Sequence, residues 1–189
     1  MADGVAGGGD SDGGGPEIRA ELDEEALRRW GRALGEAVTD TGDGPGLTVA
    51  LFGPLGAGKT TLVRAACRGA GVEGEVRSPT FTLHNHHRPR GRRPIHHVDL
   101  YRLDGPGDLD DLGWDGLVDS DGVVFVEWAG RAGPRLPASR WEVRLDFAAG
   151  DAKRSVEAVA RGGAPPIPAP VGQDPAAAGR AAGRDGGGC

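Results

Sequence analysis

The sequence predicts an α/β domain in three layers, with a central sheet and helices on both of its faces. Three observations lead to this prediction. Leu47–Phe52 is almost entirely apolar, as expected of a strand buried on both faces, and a glycine-rich loop and a helix-like segment follow it. A second apolar run, at residues 123–126, predicts another buried strand. Strands that alternate with helical segments are typical of α/β sheets.

Composition divides the 189 residues into three parts. Residues 1–16 and 161–189 consist largely of Gly, Ala, Asp and Pro. Such segments bury too little apolar surface to offset the entropy lost on ordering, so we expect both to be disordered tails. The folded domain is therefore expected to span residues 17–160.

Charge and cysteine content narrow the class of function. The formal net charge of −6 argues against a protein that grips long stretches of nucleic-acid phosphate. Cys67 lies in a predicted helix and Cys189 is the last residue, so we expect no structural disulfide and a reducing, cytoplasmic compartment. No apolar run approaches the roughly 20 residues that span a bilayer, and we expect neither a membrane span nor a secretory leader.

The first helix is expected to begin near Leu22, with Asp23 as its N-cap and acidic residues in its first turn. Apolar residues then recur at helical spacing, which predicts one buried side. They are Leu27, Trp30, Leu34, Ala37 and Val38. A cluster of turn-forming residues at 41–46 ends this helix and leads into the apolar strand.

The glycine-rich loop after that strand matches the pattern G-x-x-x-x-G-K-[ST], in the strand–loop–helix context that the motif requires. Backbone N–H groups can turn inward around phosphate oxygens where no Cβ obstructs them, and Gly53, Gly56 and Gly58 permit that turn. Lys59 adds a positive charge and Thr60 a hydroxyl for Mg²⁺. In a chain with 35 glycines such a match can arise by accident, but the chain has only two lysines and one stands at the required place. We therefore interpret the segment as a P-loop, which binds a nucleoside triphosphate.

The helix after the P-loop is expected to end at Gly69 and Gly71, with Cys67 as a small buried side chain. Trp30 of the first helix could instead approach the base of a bound nucleotide, although an aromatic residue on an apolar helix face usually packs in the core. Asn85 is the only asparagine and no lysine follows it, so the usual guanine-recognition motif is absent and ATP is preferred over GTP.

Two extended segments are expected next, at residues 78–83 and 94–98, and the Arg/His-rich stretch between them predicts the loop of an added β-hairpin. The hydroxyls of Ser78, Thr80 and Thr82 suit a switch segment that senses the γ-phosphate, and they suit an ordinary strand equally well.

Two acids follow predicted strands. Glu127 ends the apolar run at 123–126, and ligands of open α/β sheets bind at the carboxyl ends of strands, so we expect Glu127 on the same rim as the P-loop, holding Mg²⁺. The alternative is a residue that only caps the strand end. Asp99 either orients the attacking water, holds the outer shell of the metal, or begins a turn. Residues 141–147 alternate polar and apolar side chains, which predicts a half-exposed strand near a sheet edge.

Four motifs, in this order, resemble the TsaE (YjeE) family, the small P-loop ATPase of the bacterial machinery that makes threonylcarbamoyladenosine in tRNA. They are Gly-Pro-Leu-Gly-Ala-Gly-Lys-Thr-Thr, Ser-Pro-Thr-Phe-Thr-Leu, His-Val-Asp-Leu-Tyr-Arg-Leu and Val-Glu-Trp. The likeness covers roughly residues 22–147 and leaves the tails outside it.

The resemblance also implies roles for individual residues. Those implied to bind the phosphates are Gly56, Ala57, Gly58, Lys59, Thr60 and Thr61. Thr60 and Glu127 are implied to bind Mg²⁺, Asp99 takes the place of the family's functionally important acid, and Trp128 that of the tryptophan after the metal-binding glutamate. Pro54 is a departure, because an acid is common in the family at that position.

The implied activity is Mg²⁺-dependent ATP hydrolysis, slow in isolation and stimulated by partners. The ATPase cycle would serve subunits of the TsaD and TsaB type, which transfer the threonylcarbamoyl group to the adenosine next to the anticodon, with tRNA contacted indirectly. In this mechanism Lys59, Asp99 and Glu127 support in-line attack of water on the γ-phosphate. Two alternatives remain: a small-molecule or nucleoside kinase with residues 88–93 as an arginine-rich lid, and a nucleotide-gated binding module that barely turns over.

A second departure from the family is the strongly basic stretch at residues 84–97, which contains all five histidines, four arginines and no acid. The histidine spacing lacks the signature of a structural zinc site. We interpret the stretch as a solvated basic loop that meets tRNA phosphates or an acidic partner surface.

Overall fold

The computed structural model describes residues 18–39, 45–103, 105–148 and 152–171. The strands are β1 (Ile18–Asp23), β2 (Leu47–Phe52), β3 (His84–His87), β4 (Ile95–Asp99), β5 (Val123–Glu127), β6 (Arg140–Phe147) and β7 (Lys153–Arg161). The helices are α1 (Glu24–Thr39), α2 (Lys59–Gly69), α3 (Pro106–Asp111) and α4 (Trp114–Val118), and two short 3-10 helices cover Ala129–Arg131 and Gly133–Arg135.

The strands form a sheet in the order β1-β7-β6-β2-β5-β4-β3. The four central strands β6, β2, β5 and β4 are parallel, and the flanking strands β3, β7 and β1 pair antiparallel. The carboxyl ends of β2, β5 and β4 therefore meet at one rim of the sheet.

Helices cover both faces of the sheet, which confirms the predicted three-layer α/β fold. One apolar cluster joins α1 and α2 to the sheet, with Trp30 and Leu62 fully buried in it. The second cluster lies on the other face and includes Trp114 of α4 and Leu109 of α3. Strands β2 and β5 are buried between these clusters, as their apolar runs predicted.

The predicted start of α1 is confirmed, because Asp23 Oδ1 accepts a hydrogen bond from the backbone N–H of Ala26 at 2.8 Å. The strand before it was not foreseen. In β1, Ile18, Ala20 and Leu22 alternate with exposed residues and are buried against β7, which was also missed.

Residues 78–83 are not a strand, and this prediction was wrong. The backbone N–H of Leu83 donates to the Pro79 carbonyl at 2.6 Å and closes a turn, so local hydrogen bonding overrides the β-propensity of Thr-Phe-Thr. The strand begins one residue later, at His84, within the stretch expected to be loop. The added β-hairpin itself is confirmed, because β3 pairs antiparallel with β4.

Strand β6 was expected near a sheet edge, and this was also wrong. Its alternation is real, with Trp141, Val143 and Leu145 buried, but it lies between β2 and β7 in the interior of the sheet. Strand β7, which was not predicted, pairs with the edge of β6 that was expected to be free.

The folded part extends beyond the expected boundary at residue 160, because part of the segment 162–171 packs on the domain. The indole N–H groups of Trp141 and Trp30 donate to the carbonyls of Pro165 and Pro168, at 2.6 Å and 2.7 Å, and Ile167 is buried. The rest of the two expected tails, residues 1–16 and 172–189, lies outside the described residues, as does residue 17. No helix in the described part of the chain is long and apolar enough to cross a membrane.

Candidate functional site

The P-loop joins β2 to α2 in a conformation that glycine favours. Gly53, Gly56 and Gly58 have φ values of 135°, 79° and 103°. Space is limited as well, because a Cβ on Gly53 would lie 2.0 Å from the backbone oxygen of Leu145, and one on Gly58 would lie 2.9 Å from Leu27 Cδ2. The predicted need for glycine at these positions is confirmed by their backbone conformation.

Lys59 begins α2 and its side chain is buried at the mouth of the loop. Its Nζ donates to the carbonyls of Gly53 at 2.8 Å and Pro54 at 2.7 Å, and lies 4.0 Å from the centroid of a Trp128 ring. Burial lowers the pKa of Lys59, and the nearby carboxylates of Glu127 and Asp99 act in the opposite direction. The ammonium group is therefore held in place by carbonyl dipoles, an aromatic face and two acids.

Thr60 and Glu127 meet at the rim where β2 and β5 end. The hydroxyl of Thr60 donates to Glu127 Oε2 at 2.8 Å, and the Glu127 side chain is buried. The expectation that Glu127 and the P-loop lie on one rim is therefore confirmed. Their roles as Mg²⁺ ligands stay a prediction, and two neighbouring hard oxygen atoms suit that ion.

Asp99 ends β4 in register with Glu127 on β5. Its Oδ2 accepts the Thr80 hydroxyl at 2.6 Å, and Thr80 in turn lies 2.8 Å from Ser78 Oγ. Its Oδ1 accepts the backbone N–H of Tyr101 at 3.0 Å, as a turn-initiating aspartate does. Asp99 thus begins a turn and also lies in the site. Its role toward the attacking water stays a prediction.

The three hydroxyls considered as a switch segment separate into two groups. Ser78 and Thr80 form the chain that ends on Asp99, whereas Thr82 donates to Asn85 Oδ1 at 3.1 Å on the exposed surface. Only the first two are connected to the candidate site.

Trp128 follows Glu127 with a left-handed backbone, at φ 59°. In this conformation its indole contacts Lys59, and its ring centroid lies 4.9 Å from that of Tyr101. Sequence reasoning did not identify Tyr101 as part of the site, although it lies two residues after Asp99 and so follows the same strand end.

A cavity of about 220 Å³ unites most of the predicted residues. Those that line it are Gly56, Gly58, Lys59, Thr60, Thr61, Asp99, Glu127 and Trp128. The remaining two support the loop, since Gly53 accepts from Lys59 and Ala57 is fully buried beneath it. The chain therefore brings the predicted phosphate, metal and carboxylate residues to one place.

His97 was not predicted as a site residue, yet its Nε2 lies 2.8 Å from Glu127 Oε1 and its side chain is completely buried. The available signal was alternation: residues 97 and 99 point to the same face of β4.

The other histidines lie away from the cavity on the β3–β4 hairpin. The rings of His86 and His96 stack at 4.6 Å, and His84 Nε2 lies 3.0 Å from His96 Nδ1. Burial and neighbouring imidazoles lower the pKa of His84 and that of His96, the latter to about 4, so these rings are neutral at pH 7. Within the described ranges, no group of three or more His, Cys, Asp or Glu is arranged to hold a metal.

Two arginines of the hairpin, Arg92 and Arg93, contact the rim opposite the P-loop. Arg92 Nη1 donates to Thr39 Oγ1 at 3.2 Å, and Arg93 Nη1 to the Pro45 carbonyl at 2.7 Å, next to the start of β2. This position is wrong for a lid over the phosphates, so the arginine-rich kinase lid suggested by residues 88–93 is excluded.

Cys67 is a buried thiol in α2. Burial raises its pKa to about 12, which keeps it protonated and unreactive at neutral pH.

The sheet order, the glycine loop with Lys59, and the Thr60–Glu127 pair at one rim define a P-loop-type α/β protein. Residues 22–156 match the family model described as "Threonylcarbamoyl adenosine biosynthesis protein TsaE". The chain belongs to the TsaE family, and the resemblance seen in its four motifs is confirmed.

Individual relatives agree with the family model. The chain is 34% identical over 139 residues to the tRNA threonylcarbamoyladenosine biosynthesis protein TsaE of Haemophilus influenzae, covering 74% of this chain and 86% of that protein. It is 42% identical over 135 residues to the protein of the same name in Streptomyces coelicolor, covering 70% and 87%. The crystal structure of Bacillus subtilis YdiB superposes with a TM-score of 0.62 at 28% identity, over 77% of this chain and 86% of that one.

Proposed function

We propose that this chain binds Mg-ATP in the cavity beside the P-loop and hydrolyses it in support of threonylcarbamoyl modification of tRNA. The observation that supports this most directly is the contact between the Thr60 hydroxyl and Glu127 at the end of the P-loop. A P-loop threonine and an acid at the end of a neighbouring strand are the pair that holds Mg²⁺ in P-loop NTPases.

The loop suits a polyphosphate in shape and in charge. Three glycines in left-handed or related conformations leave the concave side free of Cβ atoms, and α2 directs its amino-terminal N–H groups toward the same region. Lys59 has a positive charge at the mouth of the loop, and its hydrogen-bond and aromatic partners are neutral, while the carboxylates of Glu127 and Asp99 act on it through their charge. Phosphate oxygens would replace those partners with charge-assisted hydrogen bonds, which are stronger.

The donor set fits magnesium. Thr60 and Glu127 supply a hydroxyl and a carboxylate oxygen 2.8 Å apart, and hard oxygen atoms are the ligands that Mg²⁺ prefers. Bound Mg²⁺ would supply charge neutralisation at the phosphate oxygens. These two residues would hold the ion together with the nucleotide.

Asp99 is the residue we assign to the attacking water. Its carboxylate lies in the cavity beside Glu127, and the Thr80 hydroxyl fixes the orientation of Oδ2. The water oxygen would attack the γ-phosphorus in line, the bond from that phosphorus to the β–γ bridging oxygen would break, and the water would release a proton to solvent as ADP and inorganic phosphate form. Lys59 and the loop amides would stabilise the charge on the phosphates.

The pathway follows from the relatives, which are named for threonylcarbamoyladenosine biosynthesis in tRNA. We propose that the ATPase cycle serves threonylcarbamoyltransferase subunits of the TsaD and TsaB type, in the cytoplasm, and that contact with tRNA is indirect. Turnover would be slow without these partners.

Titration calorimetry with ATP in the presence and absence of Mg²⁺ tests the binding step. We expect heat of binding for the natural chain and a large loss of Mg²⁺-dependent affinity in Glu127→Gln. No heat with Mg-ATP would contradict the proposal.

Radiolabelled ATP tests the reaction. Release of labelled inorganic phosphate without an added acceptor supports hydrolysis, and label transferred to a small molecule would indicate a kinase instead. A chain that binds ATP and releases no phosphate even with its transferase partners would be a nucleotide-gated binding module.

A further inference from the structure

The two oxygen atoms of the Glu127 carboxylate have different partners. Oε2 accepts the Thr60 hydroxyl at 2.8 Å, on the side of the cavity. Oε1 lies 2.8 Å from His97 Nε2, in the interior of the protein. One oxygen is therefore directed to the P-loop while the other is held from behind by a histidine.

The hydrogen-bonding chemistry fixes the donor. A carboxylate can only accept hydrogen bonds, so the shared hydrogen is on His97 Nε2. The His97 side chain has no solvent exposure, and its other nitrogen, Nδ1, is buried with no hydrogen-bond partner among the described residues. A buried imidazole that satisfies only one nitrogen is costly for folding alone, because the unpaired atom has lost its hydrogen bonds to water. Its one hydrogen bond points to the candidate metal ligand.

The position of His97 is rigid because β4 is an interior strand. His97 is paired with Asn85 of β3 on one side and with Phe125 of β5 on the other. Its side chain shares a strand face with Asp99, two residues further along. A donor placed on such a strand can restrict the rotamers of Glu127 more tightly than a donor on a loop.

We propose that His97 is a positioning residue that locks the Glu127 carboxylate, so that Oε2 is presented beside Thr60 to the magnesium ion. This inference rests on the proposed function, because it takes Glu127 as a metal ligand. Without the His97 hydrogen bond, Glu127 can rotate away from Thr60, and metal affinity falls while the P-loop itself is unchanged. Donors behind metal-ligating side chains typically contribute about 10- to 100-fold to metal affinity.

Three variants test the proposal. His97→Leu removes the donor. His97→Gln keeps an amide N–H at the position of Nε2 and should restore the contact. His96→Leu is the matched control on the same strand, because its ring stacks on His86 on the other face of the hairpin.

Two affinities are measured for each folded variant, with a non-hydrolysable ATP analogue as the probe. The first is the analogue's Kd in EDTA, and the second is the Kd of Mn²⁺ for the analogue complex, from the spin-resonance signal of free Mn²⁺. We expect His97→Leu to weaken Mn²⁺ binding by about tenfold or more and to leave the EDTA affinity within about twofold. His97→Gln and His96→Leu should match the natural chain within about threefold.

The inference is overturned if His97→Leu binds Mn²⁺ normally, if it loses both affinities by the same factor, or if His97→Gln is as weak as His97→Leu. Should His97→Leu not fold, His97→Asn replaces it, because its amide ends one bond short of Glu127 and should show the same selective loss.

The control Glu127→Gln distinguishes a failure of the proposed function from a failure of the role assigned to His97. If it binds Mn²⁺ as well as the natural chain, the proposed function fails. If it loses Mn²⁺ and His97→Leu does not, only the role of His97 fails.

Discussion

The strand order divides the sheet into two sides, one with β2, β5 and β4 and the other with β6, β7 and β1. These two sides differ in the kind of side chain that they bury. Strands β2, β5 and β4, with the P-loop and α2, contain the buried polar side chains of the candidate site: Lys59, His97, Asp99 and Glu127. Strands β6, β7 and β1, with residues 162–171, bury apolar side chains instead, and none of the buried polar residues within the described ranges lies in these strands.

This difference indicates a division between function and stability. Burying charged groups is costly unless they are paired, so the polar groups of the candidate site lower the stability of the first side. The second side supplies apolar burial, which stabilises at about 25 cal/mol per Å². Changes on the first side should therefore alter ligand binding with little effect on stability, and changes on the second side should do the reverse.

The two lysines give the largest expected contrast, because one lies on each side. Lys59→Ala should weaken ATP binding by about 100-fold or more, the scale of lost charge-assisted hydrogen bonds. Its melting temperature should change little, because the desolvation of the buried ammonium offsets its attraction to the carboxylates of Glu127 and Asp99. Lys153→Ala, on the exposed start of β7, should leave both quantities unchanged. Calorimetric titration and thermal melting of both variants measure this contrast, and equal ATP affinities would refute it.

Removal of residues 162–189 should lower the free energy of unfolding by about 3–5 kcal/mol. It removes the acceptors of two part-buried indole N–H groups and exposes the apolar surface that Ile167 covers. Removal of residues 172–189 alone is the matched control, because it keeps every one of these contacts. Denaturant unfolding followed by tryptophan fluorescence gives the difference. ATP affinity should stay within about twofold in both deletions, and a large loss would show that the two sides are not separable.

The segment before the hairpin, residues 78–83, allows a comparison of two threonine hydroxyls, one inside the site and one outside it. Thr80→Val removes the hydroxyl that orients Asp99, and we expect phosphate release to slow by about tenfold while Mg-ATP affinity changes less than about threefold. Thr82→Val is the control, because its hydroxyl contacts Asn85 and not Asp99. Comparing kcat with KM separates the two effects; equal slowing in both variants would mean that the Asp99 contact is not responsible.

The smallest effect is expected from the histidine stack on the hairpin. The pKa of His96 is lowered in the folded chain to about 4, so the unfolded chain binds its proton first as the pH falls. The contribution of His96 to the free energy of unfolding is therefore fully present above pH 6.5 and is lost between about pH 6.5 and pH 4. The loss is no more than about 1 kcal/mol, because the ring is half exposed and its charge is screened. His96→Gln should flatten this part of the stability profile, measured by urea unfolding at several pH values. An unchanged profile would contradict the assignment.

The same division explains which features sequence analysis could find. The P-loop and its flanking strand and helix follow one contiguous motif, and the rule that ligands bind at the carboxyl ends of strands placed Glu127 beside Thr60. By contrast, β1 and β7 pair across almost the whole chain, as Ile18 with Ala158, and no local pattern encodes that partnership.

Two local errors have physical causes. Residues 78–83 favour a strand by composition, but a backbone hydrogen bond from Leu83 to Pro79 closes a turn there. His97 was not singled out because it is one of five histidines in a basic stretch. Its importance depends on the strand face that it shares with Asp99, and that face could be assigned only after the boundaries of β4 were known.

The most direct test of the account is a crystal structure with a non-hydrolysable ATP analogue and Mn²⁺, located by its anomalous scattering. We expect one manganese peak at the carboxyl rim, bound by Thr60 Oγ1 and by the Glu127 carboxylate directly or through one water, with the phosphates in the P-loop. A manganese peak away from Glu127, or an analogue bound outside the P-loop, would contradict it.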